Sequence, residues 1–248
     1  MNPAVVTALA LAFPGLGICV AQTPPKPDST APTNAAAPPV KELAPGVYQI
    51  GKVRLERATR TIAFPVWLNM TNGPLEYLVV TKAGKTHESL LATDTEPYHI
   101  HVAMLLLGAK VPHNRATNAP ATGPASASSL AQFRDKPLPG EAVSIEVTWK
   151  ANGKELRKRI EELVLDTKAK TAMTRGDFTF TGSLVWQGAY VAQQEGSILS
   201  LVTDPIAIFN NPRPGRDADD AWSVLTKESP PLDTPVTLTV KLAPTAPK

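Results

Sequence analysis

Gly84–Lys110 reads GKTHESLLATDTEPYHIHVAMLLLGAK, and it carries the clearest helix pattern in a chain otherwise written in short alternating strands. Thr93, Asp94 or Thr95 can cap the helix, Glu96 suits the positive end of its dipole, and Pro97 sits where a missing amide hydrogen costs nothing. Gly108 stops it, with Lys110 beyond. Val102, Leu105 and Leu106 share one side at helical spacing, while Ala103, Met104 and Leu107 fill much of the rest. A helix apolar nearly all round is expected to be buried on more than one face. The same stretch holds three of the four histidines, His87, His99 and His101.

Toward the amino terminus, apolar residues recur at about every second place through Val47, Tyr48, Ile50, Val53 and Leu55, and again from Ile62 to Leu68. The polar run Glu56–Arg60 between them predicts a hairpin. Asn72-Gly73-Pro74 is a turn, Leu75–Val80 a strand, and Lys82–Lys85 the turn that closes it. Toward the carboxyl terminus, residues 111–140 hold five prolines and a Pro-Ala-Ser run, the composition of a flexible surface loop.

Val143–Trp149 alternates cleanly and leads to Asn152-Gly153, a strong hairpin signal. Ile160–Leu165 fits either a strand or a helical turn. Phe178–Trp186, Tyr190–Ala192, Ser197–Val202 and Val236–Leu242 read as strands, and Asp204–Pro212 starts like a short capped helix. Many short strands with a single long helix predict an α+β domain, mainly antiparallel β, as a sandwich-like or open barrel-like sheet with one buried helix at about 95–108.

The chain has 248 residues, 43% of them hydrophobic, enough for one domain with a real core. The net charge is only +3 and the charges alternate, so no basic face points to nucleic acid. Residues 1–21 lack charged side chains, run apolar from Val5 to Phe13 and end in Cys19-Val20-Ala21, the pattern of a secretory signal cut after Ala21. The run is too short to span a bilayer, so no transmembrane segment is expected after cleavage. Acylation of Cys19 as a lipoprotein anchor is disfavoured by Ile18, where a small residue is wanted.

Residues 22–45 are rich in Pro, Ala, Thr and Ser and are expected to form a disordered tether preferring extended, polyproline-like conformations. Residues 46–243 then form the one folded domain and 244–248 a tail. Cys19 is the only cysteine, so the mature chain is expected to carry no disulfide, thiolate nucleophile or iron–sulfur cluster, and no cofactor is anticipated. The expected setting is periplasmic or secreted, with a cell-envelope partner or ligand of unknown identity.

His87, Glu88, His99 and His101 are types that bind ligands or transition metals. On a regular helix, however, His99 and His101 project about 200° apart, which opposes a shared metal. His-Glu-x-x-His is absent. Ser89 lacks a nucleophile elbow. Glu88 with Asp94, or Asp204 with Asp219 and Asp220, are carboxylates whose separation the sequence leaves open. Arg175-Gly176-Asp177 spells an adhesion tripeptide in a turn, best read as chance, and Trp67, Trp149, Trp186 and Trp222 fit core and rim positions.

Gly46-x-Tyr48, Arg60-Thr-Ile-x-Phe-Pro65, Leu75-Glu-Tyr-Leu78, His87-Glu-Ser-Leu-Leu91, Pro97-Tyr-His-Ile-His-Val-Ala-Met-Leu-Leu-Leu-Gly108, Phe180-Thr-Gly-Ser183, Asp204-Pro205, Asn210-Asn-Pro212 and Thr234-Pro-Val236 together resemble the YdjY-domain family of exported bacterial proteins. The resemblance spans about Gly46 to Leu242 and implies no established activity. A ferredoxin-like label carried by some members does not suit a mature chain without cysteine. The expected function is thus a non-catalytic extracytoplasmic binding or structural module. The alternative is a metal-dependent or acid–base enzyme using His87, Glu88, His99 and His101.

Overall fold

A computed structural model describes residues 39–112 and 137–244. The strands are β1 Val40–Ala44, β2 Val47–Ile50, β3 Val53–Glu56, β4 Thr61–Leu68, β5 Tyr77–Thr81, β6 Ser89–Thr93, β7 Glu141–Ala151, β8 Lys154–Arg159 and β9 Val164–Asp166. They continue as β10 Thr171–Ala172, β11 Phe178–Phe180, β12 Val185–Trp186, β13 Ala189–Tyr190, β14 Ser197–Ser200, β15 Phe209–Asn210, β16 Trp222–Val224 and β17 Pro235–Leu242. Helix α1 is Pro97–Leu106 and helix α2 is Val191–Glu195.

Alternation in the three longest strands builds the core. β17 lies between β4 and β7, antiparallel to both, so Ile62, Val240 and Ile145 share one rung, Phe64, Leu238 and Val147 the next, and Val66, Val236 and Trp149 a third. All nine side chains are buried. At about 25 cal/mol per Å² of apolar surface removed from water, such rungs dominate the stability of a β domain.

From β7 the sheet continues through β11, β15, β14, β5 and β6, and β6 pairs back onto β4, closing an eight-stranded barrel. The pairing is mixed, because β5 with β6 and β14 with β15 are parallel. Closure removes the free edges of these strands. β4 serves two partners along one edge, β3 at Thr61–Ala63 and β6 at Trp67–Leu68. Pro65 occupies the gap, where a strand residue without an amide hydrogen is tolerated. Its carbonyl accepts from the Thr93 hydroxyl at 2.6 Å. β7 splits likewise between β11 and β8.

The α+β, mainly β class expected from the pattern is what the chain adopts, with closure supplied by β6. Helix α1 starts at Pro97 as the proline indicated, but Glu96 occupies the cap without a side-chain bond, because the Thr93 hydroxyl is given to Pro65. It buries Pro97, Ile100, Ala103 and Met104. Leu105 and Leu106 stay 42% and 38% exposed, so the burial is one-sided.

Other local expectations change. Val40–Ala44, at the end of the expected tether, is a strand paired to β2 although all five residues are exposed. Its hydrogen bonds come from the neighbouring strand, which side-chain composition does not reveal. Residues 1–38 and most of the 111–140 loop fall outside the described residues. Val191–Glu195 is a helix, stopped by Gly196 at φ +74°, where a strand was expected. In Asp204–Pro212 an Asp204-led turn runs into β15, because Ala207, Ile208 and Phe209 are buried in succession. Ile160–Leu163 is a 3-10 turn that passes into β9.

Candidate functional site

The polar motif residues converge first on the loop between β14 and β15. The Asp204 amide donates to Asn210 Oδ1 at 2.8 Å, and Asn210 Nδ2 returns bonds of 2.9 Å to the Asp204 carbonyl and to Thr181 Oγ1. Asn211 Nδ2 holds the Leu201 carbonyl at 3.1 Å and Ser183 Oγ the Ile206 carbonyl at 2.5 Å. Asp204 accepts the Ile206 amide at Oδ1 and the Tyr77 hydroxyl at Oδ2, both at 3.0 Å. Thus Phe180–Ser183, Asp204-Pro205 and Asn210–Pro212 meet in one knot, and Tyr77 of β5 ties that knot to the barrel.

Burial pushes the Asp204 carboxyl above its ordinary range, against the opposing pull of the Ile206 amide and of the Tyr77 and Ser197 hydroxyls. Burial, followed by the charge of Asp204, pushes the Tyr77 phenol up. A carboxyl raised in the folded state contributes stability that is complete below its unfolded pKa and is lost as pH rises through the folded one. Replacing Tyr77 with Phe removes one of the Asp204 donors, and we expect a loss of about 1–3 kcal/mol at neutral pH. Thermal denaturation at pH 7 and at pH 4 checks this, the loss being smaller at pH 4.

Around this knot stands a charged rim. Lys85 Nζ lies 3.4 Å from Glu88 Oε1 and 4.0 Å from Glu76 Oε2, and 5.1 Å above the Tyr77 ring. His87 Nε2 is 3.6 Å from Glu88 Oε2. Burial first, and then the neighbouring Glu88, raises the Glu76 carboxyl. Asn69 Nδ2 positions the turn Thr86–Glu88 through the Thr86 and Ser89 carbonyls at 2.6 and 2.7 Å. Ser89 Oγ is buried and donates to the Lys85 carbonyl at 2.5 Å, a bond that ties the turn to the start of β6. His87 is open to solvent, with a side chain 78% exposed against 19% for Glu88.

The two helix histidines have separate surroundings. His99 covers the β2–β3 turn so closely that a Cβ built on Gly51 would lie 2.1 Å from its Nδ1, and its Nε2 is 3.7 Å from Glu96 Oε2. Gly51 also has φ +55°, so Gly51→Ala is expected to cost about 1–3 kcal/mol in a denaturant titration. A second change, His99→Gly, should recover the steric part. His101 instead packs against Tyr190 and Phe180, with ring centroids 4.9 and 5.9 Å away. Burial alone takes its pKa down to about 4.

The structure therefore joins His87 to Glu88, and seats His99 and His101 against different neighbours. No group of three or more His, Cys, Asp or Glu among the described residues is arranged to hold a metal ion. Sequence reasoning missed Glu76, Lys85 and Tyr77 as companions of Glu88, although Leu75-Glu-Tyr-Leu78 was among the matching segments. The parallel pairing of Tyr77 with Ser89 brings the two motifs together.

Sequence reasoning also missed Glu161, which is fully buried and takes Arg159 Nη2 at 2.8 Å, Arg213 Nη2 at 3.1 Å and the Gly176 amide at 3.1 Å. This ion network fixes the Arg175-Gly176-Asp177 turn, and Arg175 itself pairs with Glu162 at 2.8 Å. Asp219 and Asp220 are exposed. Trp149 and Trp222 are core residues.

Comparison with known proteins comes down to one positive finding. The family model described as YdjY domain matches residues 53–241, most of the chain. No curated protein and no solved structure matches. Among the described residues no helix is long and apolar enough to cross a membrane.

Proposed function

The chain belongs to the YdjY-domain family, and from that premise we propose that it is a non-catalytic binding or structural module of the cell exterior or periplasm. One observation carries the reading. The motif side chains Thr181, Ser183, Asn210 and Asn211 direct their bonds to main-chain carbonyls that shape the barrel loops, the work of a scaffold. The apolar run Val5–Phe13 and the absence of cysteine after Ala21 support export. The contact surface is the rim of Glu76, Lys85, His87 and Glu88, which faces a ligand or envelope partner with both signs of charge.

A second reading, an acid–base enzyme, draws on the same rim. Glu76 has a raised pKa beside Glu88, the kind of environment that separates a proton donor from an acceptor. Metal analysis and calorimetry on the untagged protein separate the readings. Incubation with zinc, copper, iron and manganese is expected to leave no stoichiometric metal in wild type or in His87→Ala and Glu88→Gln variants. Retention of one equivalent by wild type, lost in either variant, would overturn the non-catalytic reading in favour of a metal enzyme. Turnover of a chromogenic ester or glycoside that disappears in Glu88→Gln would overturn it in favour of acid–base catalysis.

A further inference from the structure

His101 is neither at the rim nor part of the Asp204 knot, and its position is unusual. Its Nδ1 is sealed from solvent and has no hydrogen-bond partner among the described residues. The ring lies between Phe180, a fully buried barrel residue of β11, and Tyr190 at the end of β13. Tyr190 also meets Tyr98 edge-on at 5.9 Å, and its hydroxyl reaches the Gly182 carbonyl at 3.4 Å. One turn of chain further, Gln193 Oε1 accepts the Tyr98 amide at 3.0 Å. Helix α1 is thus fastened to the β13–α2 segment by His101, Tyr98, Tyr190 and Gln193.

The segment is the lighter of the two bodies that hold the ring. Among the described residues β13 pairs only with β12, in a two-stranded sheet outside the barrel, and α2 has five residues. At its far end the Gly196 carbonyl accepts the Thr81 amide at 2.8 Å, and a Cβ on Gly84 would stand 3.2 Å from the Glu195 carbonyl. The segment therefore spans from His101 to the turn that opens Gly84–Glu88.

We propose that Ala189–Gly196 is an acid-released latch, held against α1 by the neutral ring of His101 and freed when that ring takes up a proton. An imidazolium needs an acceptor for each N–H, and a sealed Nδ1 between two aromatic rings has none. Among the described residues the rings packed against it are Phe180 from β11 and Tyr190 from β13. On its own helix, Glu96 and His99 pair with each other. Burial alone lowers its pKa, and among the described residues no counter-charge steadies the protonated form. Phe180 is anchored between two barrel strands, so the opening falls on the Tyr190 side, where it also lifts Val191 and Ala192 of α2 from the core. The latch is independent of what the rim binds.

The sign follows from the lowered value. A group whose pKa falls on folding gives stability that is complete above its unfolded pKa, near 6.5, and is lost as pH falls through about 4. Hydrogen exchange of the full chain, corrected for intrinsic rates, should show opening of residues 189–196 rising on the order of a hundredfold between pH 6.5 and pH 3.5, with β7 and β17 unchanged. His101→Phe should flatten that response. A response that persists in His101→Phe, or that takes β7 and β17 with it, would overturn the latch. If His101→Phe does not fold, the imidazole of the wild-type protein is titrated by NMR. A midpoint well below 6.5 that tracks the opening of 189–196 supports the proposal, and an ordinary midpoint overturns it.

Discussion

Glu161→Ala should lower the unfolding free energy by about 3–5 kcal/mol, the cost of leaving a buried ion cluster without its anion. Arg159 and Arg213 point at one carboxylate whose exposure is zero, with their own side chains 22% and 12% exposed. Glu161 favours the charged form of Arg159, its hydrogen bond being the largest influence there. Burial instead pulls Arg213 down, because the Phe178 ring, 4.6 Å from its guanidinium carbon, helps exclude water. The two directions are compatible, since both guanidinium groups remain protonated at any pH where the fold exists. With Glu161 gone, two largely buried cations face each other with only the weaker pull of Asp177 on both, and the Gly176 amide loses its acceptor as well. Urea unfolding measures the loss as a lower midpoint at unchanged slope. Removing Glu161 and Arg213 together should cost less than the sum of the single changes, because each relieves the other's unpaired charge. A Glu161→Ala loss below about 1 kcal/mol would show that the cluster is solvated in solution.

Phe180→Ala is expected to cost a similar amount, about 3–5 kcal/mol, for a different reason. Phe180 is fully buried and its ring centroid is 5.5 Å from that of Phe209, the partner directly across the β11–β15 pair. Its removal leaves a cavity under a two-strand contact of only two residue pairs, which has little capacity to collapse around it. It also takes away one side of the His101 seat. Chemical denaturation should therefore be accompanied by a rise in the pKa of His101 toward its ordinary value, readable by NMR titration. Phe180→Leu, which keeps most of the volume, should lose far less and leave the histidine buried.

Much of this architecture can be read from residue pattern alone where one face of a strand meets the core and the other meets water. Phe64, Val66, Val236, Leu238, Ile145 and Val147 alternate with exposed or half-exposed neighbours, so β4, β7 and β17 announce themselves. Pro97 and Gly108 mark α1 by backbone chemistry that depends little on context. β6 has no such signature. Ser89, Leu90, Leu91, Ala92 and Thr93 are all buried, so alternation vanishes in the strand that closes the barrel. A parallel neighbour after a short turn is also a rare arrangement, since parallel pairs usually need a long crossover. Glu161 was invisible for a related reason. Its neighbours in space, Arg213 and Gly176, are fixed by tertiary structure, and an isolated Glu-Glu pair reads as solvent-facing. At the rim, His87 and Glu88 stood out by residue type, whereas Glu76 and Tyr77 needed the β5–β6 register to bring them there.

β17 occupies the middle of the main β4–β17–β7 sheet although it is the last strand among the described residues. Every rung that joins Ile62 to Ile145 passes through a residue between 236 and 240. A nascent chain in which residues 235–242 have not yet been made thus has the two halves of its wall and nothing to join them, whatever local structure has formed. The arrival of β17, and not the order of hairpins along the chain, sets the moment at which this wall can close. Any machinery that must receive it unfolded has until then to do so.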